Sequence, residues 1–209
     1  MALLFGWNAY PDGLTVDWSL ASQATAFVYL GADRAYEAAS QDAAAAGLLV
    51  GPYWSLTSSL DPEGQVEVFL SRTGNPKRGL PPAVFMGRAE QLPALKLFVE
   101  ALEQRTGRRA LIGGTPDSLK SAGQLFGRTN PLWISHKPLF GGPSIPVGWS
   151  NFAVWQSETS AQVKGVRGTV GLNVADASFL GKQTKALALG LGALLLAAVA
   201  YHFIEETKP

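Results

Sequence analysis

Two carboxylates in this chain follow strand-like runs, the position from which side chains most often do chemistry in α/β folds. Asp33 comes after Phe27-Val28-Tyr29-Leu30, and Glu90 comes after Ala83-Val84-Phe85-Met86. Two carboxyls that flank one bond can divide acid and base work between them, whereas a single one cannot do both tasks at once. His136, after Leu132-Trp133-Ile134-Ser135, is either a base or a hydrogen-bonded structural imidazole. The only other histidine is His202 and there is no cysteine, so no metal site, disulfide or cofactor is expected. Ser55, Ser58 and Ser135 lack the Gly-x-Ser-x-Gly setting of a serine nucleophile. Gly113-Gly114-Thr115-Pro116 lacks the lysine and the glycine spacing of a phosphate loop.

The elements that would position these groups alternate. Strands are predicted at 27–30, 48–54, 83–86, 110–112, 132–135 and 152–156, with a first strand near the N-terminus. Helices are predicted at 36–46, ended by Gly47, and at 61–70, with Asp61 as cap and Pro62 in the first turn. Apolar residues at 92, 95, 98, 99 and 102 predict a third helix over 92–106, ended by Gly107. A short helix is expected over 116–126. Strands alternating with helices imply a parallel α/β fold, and so many strands in about 180 residues favour a compact barrel. Residues 141–148 form a Gly/Pro loop.

Charged residues make up 16% of the chain, against roughly 25% in typical soluble domains. That deficit points to contact with lipid or with protein partners. The net charge of +1 gives no footprint for nucleic acid. The first residues lack the positive n-region of a signal peptide. Residues 186–204 carry no formal charge, and as a helix they would span about 28 Å, close to the thickness of a bilayer core. The expected organisation is a barrel over 1–181, a linker at 182–185, a single transmembrane helix at 186–204 and a polar tail at 205–209. A terminal helix packed on the domain is the competing reading of 186–204. Lys182 and Lys185 would favour the barrel on the cytoplasmic side.

Three stretches together carry a family resemblance. The first is Gly6-Trp7-Asn8 followed by Val16-Asp17-Trp18. The second runs from Ala43 to Leu48, through Gly51-Pro52-Tyr53, to Asp61-Pro62 and Gln65. The third is Leu132-Trp133-Ile134-Ser135-His136, then Val154-Trp155-Gln156, then the segment from Gly165 to Asn173. In this order they resemble the glycoside hydrolase family 25 muramidases, the Chalaropsis-type lysozymes of bacteria and phages. The resemblance implies an irregular, TIM-like β/α barrel with a sugar cleft at the C-terminal ends of its strands.

The chemistry of that family does not carry over. Where the family has an aspartate on its first strand, this chain has Asn8. The central Asp-x-Glu pair matches Phe85-Met86-Gly87, and the aspartate of the last turn matches Gly171. Lys137 replaces a tyrosine. The expected protein is therefore a membrane-anchored lysozyme-like barrel without catalysis, a structural or docking component or a peptidoglycan binder. Its expected settings are a bacterial inner membrane or the internal membrane of a lipid-containing phage, with envelope or virion proteins as partners. The alternative is an active membrane-bound muramidase that uses the displaced acids Asp33 and Glu90. Trp54, Trp133, Trp155 and Gln156 are the candidate glycan contacts, since indole faces suit sugar rings; packing of barrel core and mouth is the competing role. Lys77-Arg78 and the cluster Arg105, Arg108 and Arg109 could meet lipid phosphates or an acidic partner, or simply be solvated.

Overall fold

A computed structural model describes residues 2–58, 60–76 and 79–181. Its strands are β1 (Leu3–Ala9), β2 (Thr15–Val16), β3 (Phe27–Gly31), β4 (Leu49–Ser55), β5 (Ala83–Met86), β6 (Leu111–Gly114), β7 (Leu132–Ser135), β8 (Val154–Ala161), β9 (Val166–Arg167) and β10 (Val170–Asp176). Eight of them close a barrel in the order β1-β10-β8-β7-β6-β5-β4-β3, while β2 and β9 pair as a small separate ribbon. Neighbours from β1 through β3 to β8 run parallel. The expected all-parallel sheet needs one correction, because β10 runs antiparallel to both β1 and β8. The connection from β8 to β10 contains no crossover helix, so the chain returns as a hairpin-like strand.

Side-chain parity divides the barrel into an interior and a shell. Leu4, Phe27, Tyr29, Leu49, Tyr53, Ala83, Phe85, Leu111, Trp133, Val154 and Ala175 pack together inside. The alternate residues Trp54, Val84, Met86, Ile112 and Ile134 pack outward under α3 (Pro62–Thr73) and α4 (Leu92–Thr106). On the other flank, Trp7, Val28 and Leu30 pack with Tyr36 and Ala43 of α2 (Tyr36–Ala45). A strand buried on both faces is apolar at every position, which is why these strands show no alternation in sequence.

The helices begin and end as local chemistry dictates. Asp61 caps α3 by accepting the Gly64 N–H at 2.8 Å. At the end of α4, Gly107 takes φ +67° and donates its N–H to the Glu103 carbonyl. Asp17 caps α1 (Trp18–Ala24) through the Leu20 N–H. The helix expected over 116–126 is another correction, since only α5 (Gly123–Phe126) is helical. Before it, Ser118 Oγ accepts the Thr115 N–H at 2.9 Å and Thr115 Oγ1 accepts the Ser118 N–H at 3.2 Å, which holds a turn instead. The last element, α6 (Ala177–Gly181), packs Leu180 against the interior residues at the N-terminal end of the barrel. Among the described residues no helix is long and apolar enough to cross a membrane. The expected anchor at 186–204 lies outside the described residues.

Candidate functional site

The barrel's mouth is the end where the parallel strands finish. Because β10 runs the other way, its first residues reach the same end, so Gly171 lies opposite Asn8. On the next strands, Ser135 of β7 lies opposite Gln156 of β8. Parity turns Asn8, Ser135, Gln156, Gly171 and Asn173 inward together.

These residues form one neutral hydrogen-bond network. Asn8 Oδ1 accepts from Gln156 Nε2 at 2.8 Å and from Asn173 Nδ2 at 2.9 Å. Ser135 Oγ donates to Gln156 Oε1 at 2.6 Å, and Trp133 Nε1 donates to Asn173 Oδ1 at 3.1 Å. The Asn8 amide is also a hydrogen-bond partner of the Tyr53 hydroxyl. Burial, reinforced by the neighbouring Tyr10, pushes the Tyr53 phenol far above its ordinary range, so it stays neutral. Every atom of this network either donates or accepts a hydrogen bond, and none holds a proton that it could release near neutral pH.

Gly171 makes the network sterically possible. A Cβ at this position would lie 2.2 Å from Gln156 Nε2 and 2.3 Å from Asn8 Oδ1. No side chain, aspartate included, fits here while the amides keep their places. Gly87 is different. Its N–H donates to Gln91 Oε1 at 2.9 Å, and an added Cβ would meet only that atom, at 3.7 Å.

Aromatic rings fill the space next to the amides. Phe85 points inward, and its ring lies against Gly113, where a Cβ would come within 2.6 Å of it. The ring meets Trp133 edge-on at 4.6 Å between centroids, with Tyr53 at 6.1 Å. Tyr10 covers Gly31 and contacts Tyr53 at 5.0 Å. An apolar ring thus occupies the central strand's inward position at the mouth.

The structure brings only some of the candidate residues together. Asn8, Phe85, Gly171, Trp133 and Gln156 share the mouth, with Trp133 fully buried as its floor. Trp54 does not share it. It faces outward beneath α3, and its Nε1 donates to Gln65 Oε1 at 2.9 Å. Trp155 also points outward, against Phe152, with its Nε1 donating to the His136 carbonyl at 2.7 Å. Adjacent strand residues face opposite sides, so Tyr53 and Gln156 take the inward places that Trp54 and Trp155 would need. Asp33 spends both oxygens on loops, accepting the Asp12 N–H at 2.8 Å and the Ala35 N–H at 2.9 Å. Glu90 lies in a short 3₁₀ turn (Ala89–Gln91) with an exposed side chain, 4.0 Å from Arg88. His136 Nδ1 accepts the Ser144 N–H at 3.0 Å, which is a loop-holding role, and Lys137 pairs with Glu158. Lys77 and Arg78 lie outside the described residues. Among the described residues no cluster of three metal-ligating side chains occurs. Tyr10 joins the mouth with no mark in the sequence, and Tyr53 and Asn173 join it from stretches that carry the family resemblance without being candidate contacts. Asn173 could have been found, because it stands two residues from Gly171 and therefore on the same face.

No protein-family model matches the chain, and no curated protein matches it in sequence. Solved structures do match. A bacterial lysozyme from Streptomyces coelicolor superposes with a TM-score of 0.75 at 21% identity, over 86% of this chain and 96% of that one. A family 25 lysozyme from Aspergillus fumigatus gives 0.71 at 20% identity, over 84% and 95%. The spore cortex lytic enzyme SleM of Clostridium perfringens gives 0.68 at 19%, over 83% and 67%. Likeness at such low identity speaks for architecture: the chain is similar in fold to the glycoside hydrolase family 25 lysozymes.

Proposed function

We propose that this protein is a non-catalytic, membrane-anchored barrel of the lysozyme type that holds peptidoglycan or docks envelope proteins at its mouth. One observation carries the reading. The mouth is lined by a closed amide network and an inward phenyl ring, with Asn8, Phe85 and Gly171 at positions that resemble the family's carboxylate sites. Glycoside hydrolysis needs one group to protonate the leaving oxygen and a second to stabilise or attack the sugar carbon. Amides supply hydrogen bonds to hydroxyl and acetamido groups but neither of those services. The apolar segment 186–204 supports attachment to a bilayer by its length and lack of charge. A bacterial inner membrane, or the internal membrane of a lipid-containing phage, is the setting that accommodates both parts.

The test uses the full chain in detergent with purified peptidoglycan. The expected result is retention on the polymer without loss of turbidity. Clearing of the suspension that disappears in Asp33→Asn or Glu90→Gln would replace this reading with an active muramidase. Neither clearing nor retention would leave docking of proteins as the role. For the anchor, the expected result is detergent-dependent extraction from membranes, abolished by deletion of 186–209.

A further inference from the structure

We infer that His136 is a pH-sensitive latch on the loop between β7 and β8, closed while its imidazole is neutral and released when the ring takes up a proton. The inference goes beyond the reading of the mouth, because it needs neither a ligand there nor the apolar segment.

The chemistry of the contact is strict. The Ser144 backbone N–H donates to His136 Nδ1 at 3.0 Å. A backbone N–H can only donate, so Nδ1 carries a lone pair and the ring proton sits on Nε2. In an imidazolium both nitrogens carry protons and neither accepts. Protonation therefore replaces this hydrogen bond by two N–H groups pointed at each other. Histidine is the side chain whose ordinary titration falls between about pH 5 and 8, so the latch is closed above that transition and open below it. Around the ring, Lys137 and Glu158 pair with each other. The further charged groups on the flanking elements are Asp117 and Lys120 after β6, and Lys164 and Arg167 after β8. All four are exposed, where solvent and salt screen them.

The loop is built so that this one contact counts. At its start, the His136 N–H donates to the Gln156 carbonyl at 3.1 Å, and the His136 carbonyl accepts Trp155 Nε1 at 2.7 Å. At its far end, Ile145 packs against the outer core and Pro146 is buried. Trp149 Nε1 then donates to the Asn130 carbonyl at 2.8 Å. Between these fixed ends the tip has little packing of its own. Leu139 and Phe140 are each 93% exposed, and a Cβ on Gly141 or Gly142 would meet nothing within 4 Å. The neck of the loop is closed by the bond from Ser144 to His136 and by the pair of Lys137 with Glu158. The strands that the loop joins also carry Ser135 and Gln156 of the amide network. The latch therefore sets how freely an apolar tip moves at the rim of the mouth.

The chain has no cysteine, so Leu139→Cys carries a single nitroxide label in the full chain in detergent. Electron paramagnetic resonance separates restrained from mobile label as the pH is lowered from about 8 to about 5. One hydrogen bond of this kind favours the latched loop about 5-fold, so the restrained-to-mobile ratio should fall about 5-fold across that range. The midpoint should coincide with the titration of the His136 ring, followed by its own resonances in nuclear magnetic resonance. His136→Asn puts an oxygen in the place of Nδ1 that accepts the Ser144 N–H at every pH, so its label should stay restrained throughout. His136→Leu should be mobile throughout. Unchanged circular dichroism shows that both variants fold, and the coincidence of midpoints in the chain with His136 intact is an independent measurement. A ratio that stays constant over this range, or a response that survives in His136→Asn, overturns the latch. Loss of the response in His202→Gln, with His136 intact, overturns it in favour of the other histidine.

Discussion

Substituting Gly171 by alanine tests whether the amide network holds the mouth together. The added methyl would stand 2.2 Å from Gln156 Nε2 and 2.3 Å from Asn8 Oδ1, so those atoms must part. Overpacking of this kind costs about 1–3 kcal/mol. Breaking the 2.8 Å bond between them leaves a buried amide donor without its acceptor, for about 1–3 kcal/mol more. With partial relaxation, a loss of about 3 kcal/mol is expected, or roughly 6–12 °C in Tm for a domain of this size. Asn8→Ala should cost a similar amount, about 3 kcal/mol, because Gln156 and Asn173 both lose an acceptor. In the double variant the methyl enters the space that Asn8 vacates, so the two losses should fall short of additivity by about 2 kcal/mol. Urea unfolding followed by tryptophan fluorescence reads all of these values. Gly87→Ala is the control, since its Cβ would meet nothing nearer than 3.7 Å, and it should change stability by less than about 0.5 kcal/mol. A Gly171→Ala variant as stable as the parent, or a strictly additive double variant, would refute the idea that glycine is there to admit the amides.

Alkali should unfold this protein through its buried phenols. Burial raises Tyr29 and Tyr53 strongly and Tyr36 to about 12, so each contributes stability below the ordinary phenol value of 10.0 that is lost as pH rises through the folded value. For Tyr36 the loss amounts to about 3 kcal/mol between pH 10 and 12, and Tyr36→Phe should flatten that part of a stability–pH curve. An identical curve for the variant would contradict the assignment. Arg108→Met should cost about 2 kcal/mol by releasing the carbonyls that hold the turn before β5, and Lys at the same position should recover only part of it, since it cannot span three acceptors. Full recovery by Lys in the same urea assay would show that charge alone suffices.

Much of the scaffold was legible because it follows local rules. The 3–4 spacing of apolar residues and the terminal Gly107 mark α4 residue for residue, and Asp61-Pro62 marks the start of α3. What the sequence concealed was phase. Around Trp54, both Val50-Pro52-Trp54 and Gly51-Tyr53-Ser55 suit a buried face, and only the closed barrel shows that the second set points inward. The same ambiguity hid the outward turn of Trp155. The antiparallel course of β10 was hidden for a different reason, because strand direction depends on pairing across the whole barrel and not on the residues of the strand itself.

Asn8→Asp bears on how far this mouth stands from chemistry. Of the missing carboxylates that would stand within the amide network, the one at Asn8 could return without rearrangement, whereas Gly171 leaves no room for a side chain. Asn8 Oδ1 already receives two N–H groups, and a carboxylate oxygen accepts them equally well. With the Tyr53 hydroxyl also within reach, the new acid would be held ionised, with its pKa depressed by donors that prefer the charged form. Its contribution to stability would be present at neutral pH and lost as pH falls through the depressed value, which acid titration of folding would detect. Such an acid can stabilise positive charge on a sugar ring but is a poor proton donor to a leaving group. The second task falls to the central strand, where Phe85 turns an apolar ring inward against Gly113 and Trp133. Asn8→Asp should therefore fold, remain within about 1 kcal/mol of the parent at pH 7, and leave peptidoglycan turbidity unchanged. Clearing by this single variant would mean that another group at the mouth already donates the proton, and the non-catalytic reading would fall with it.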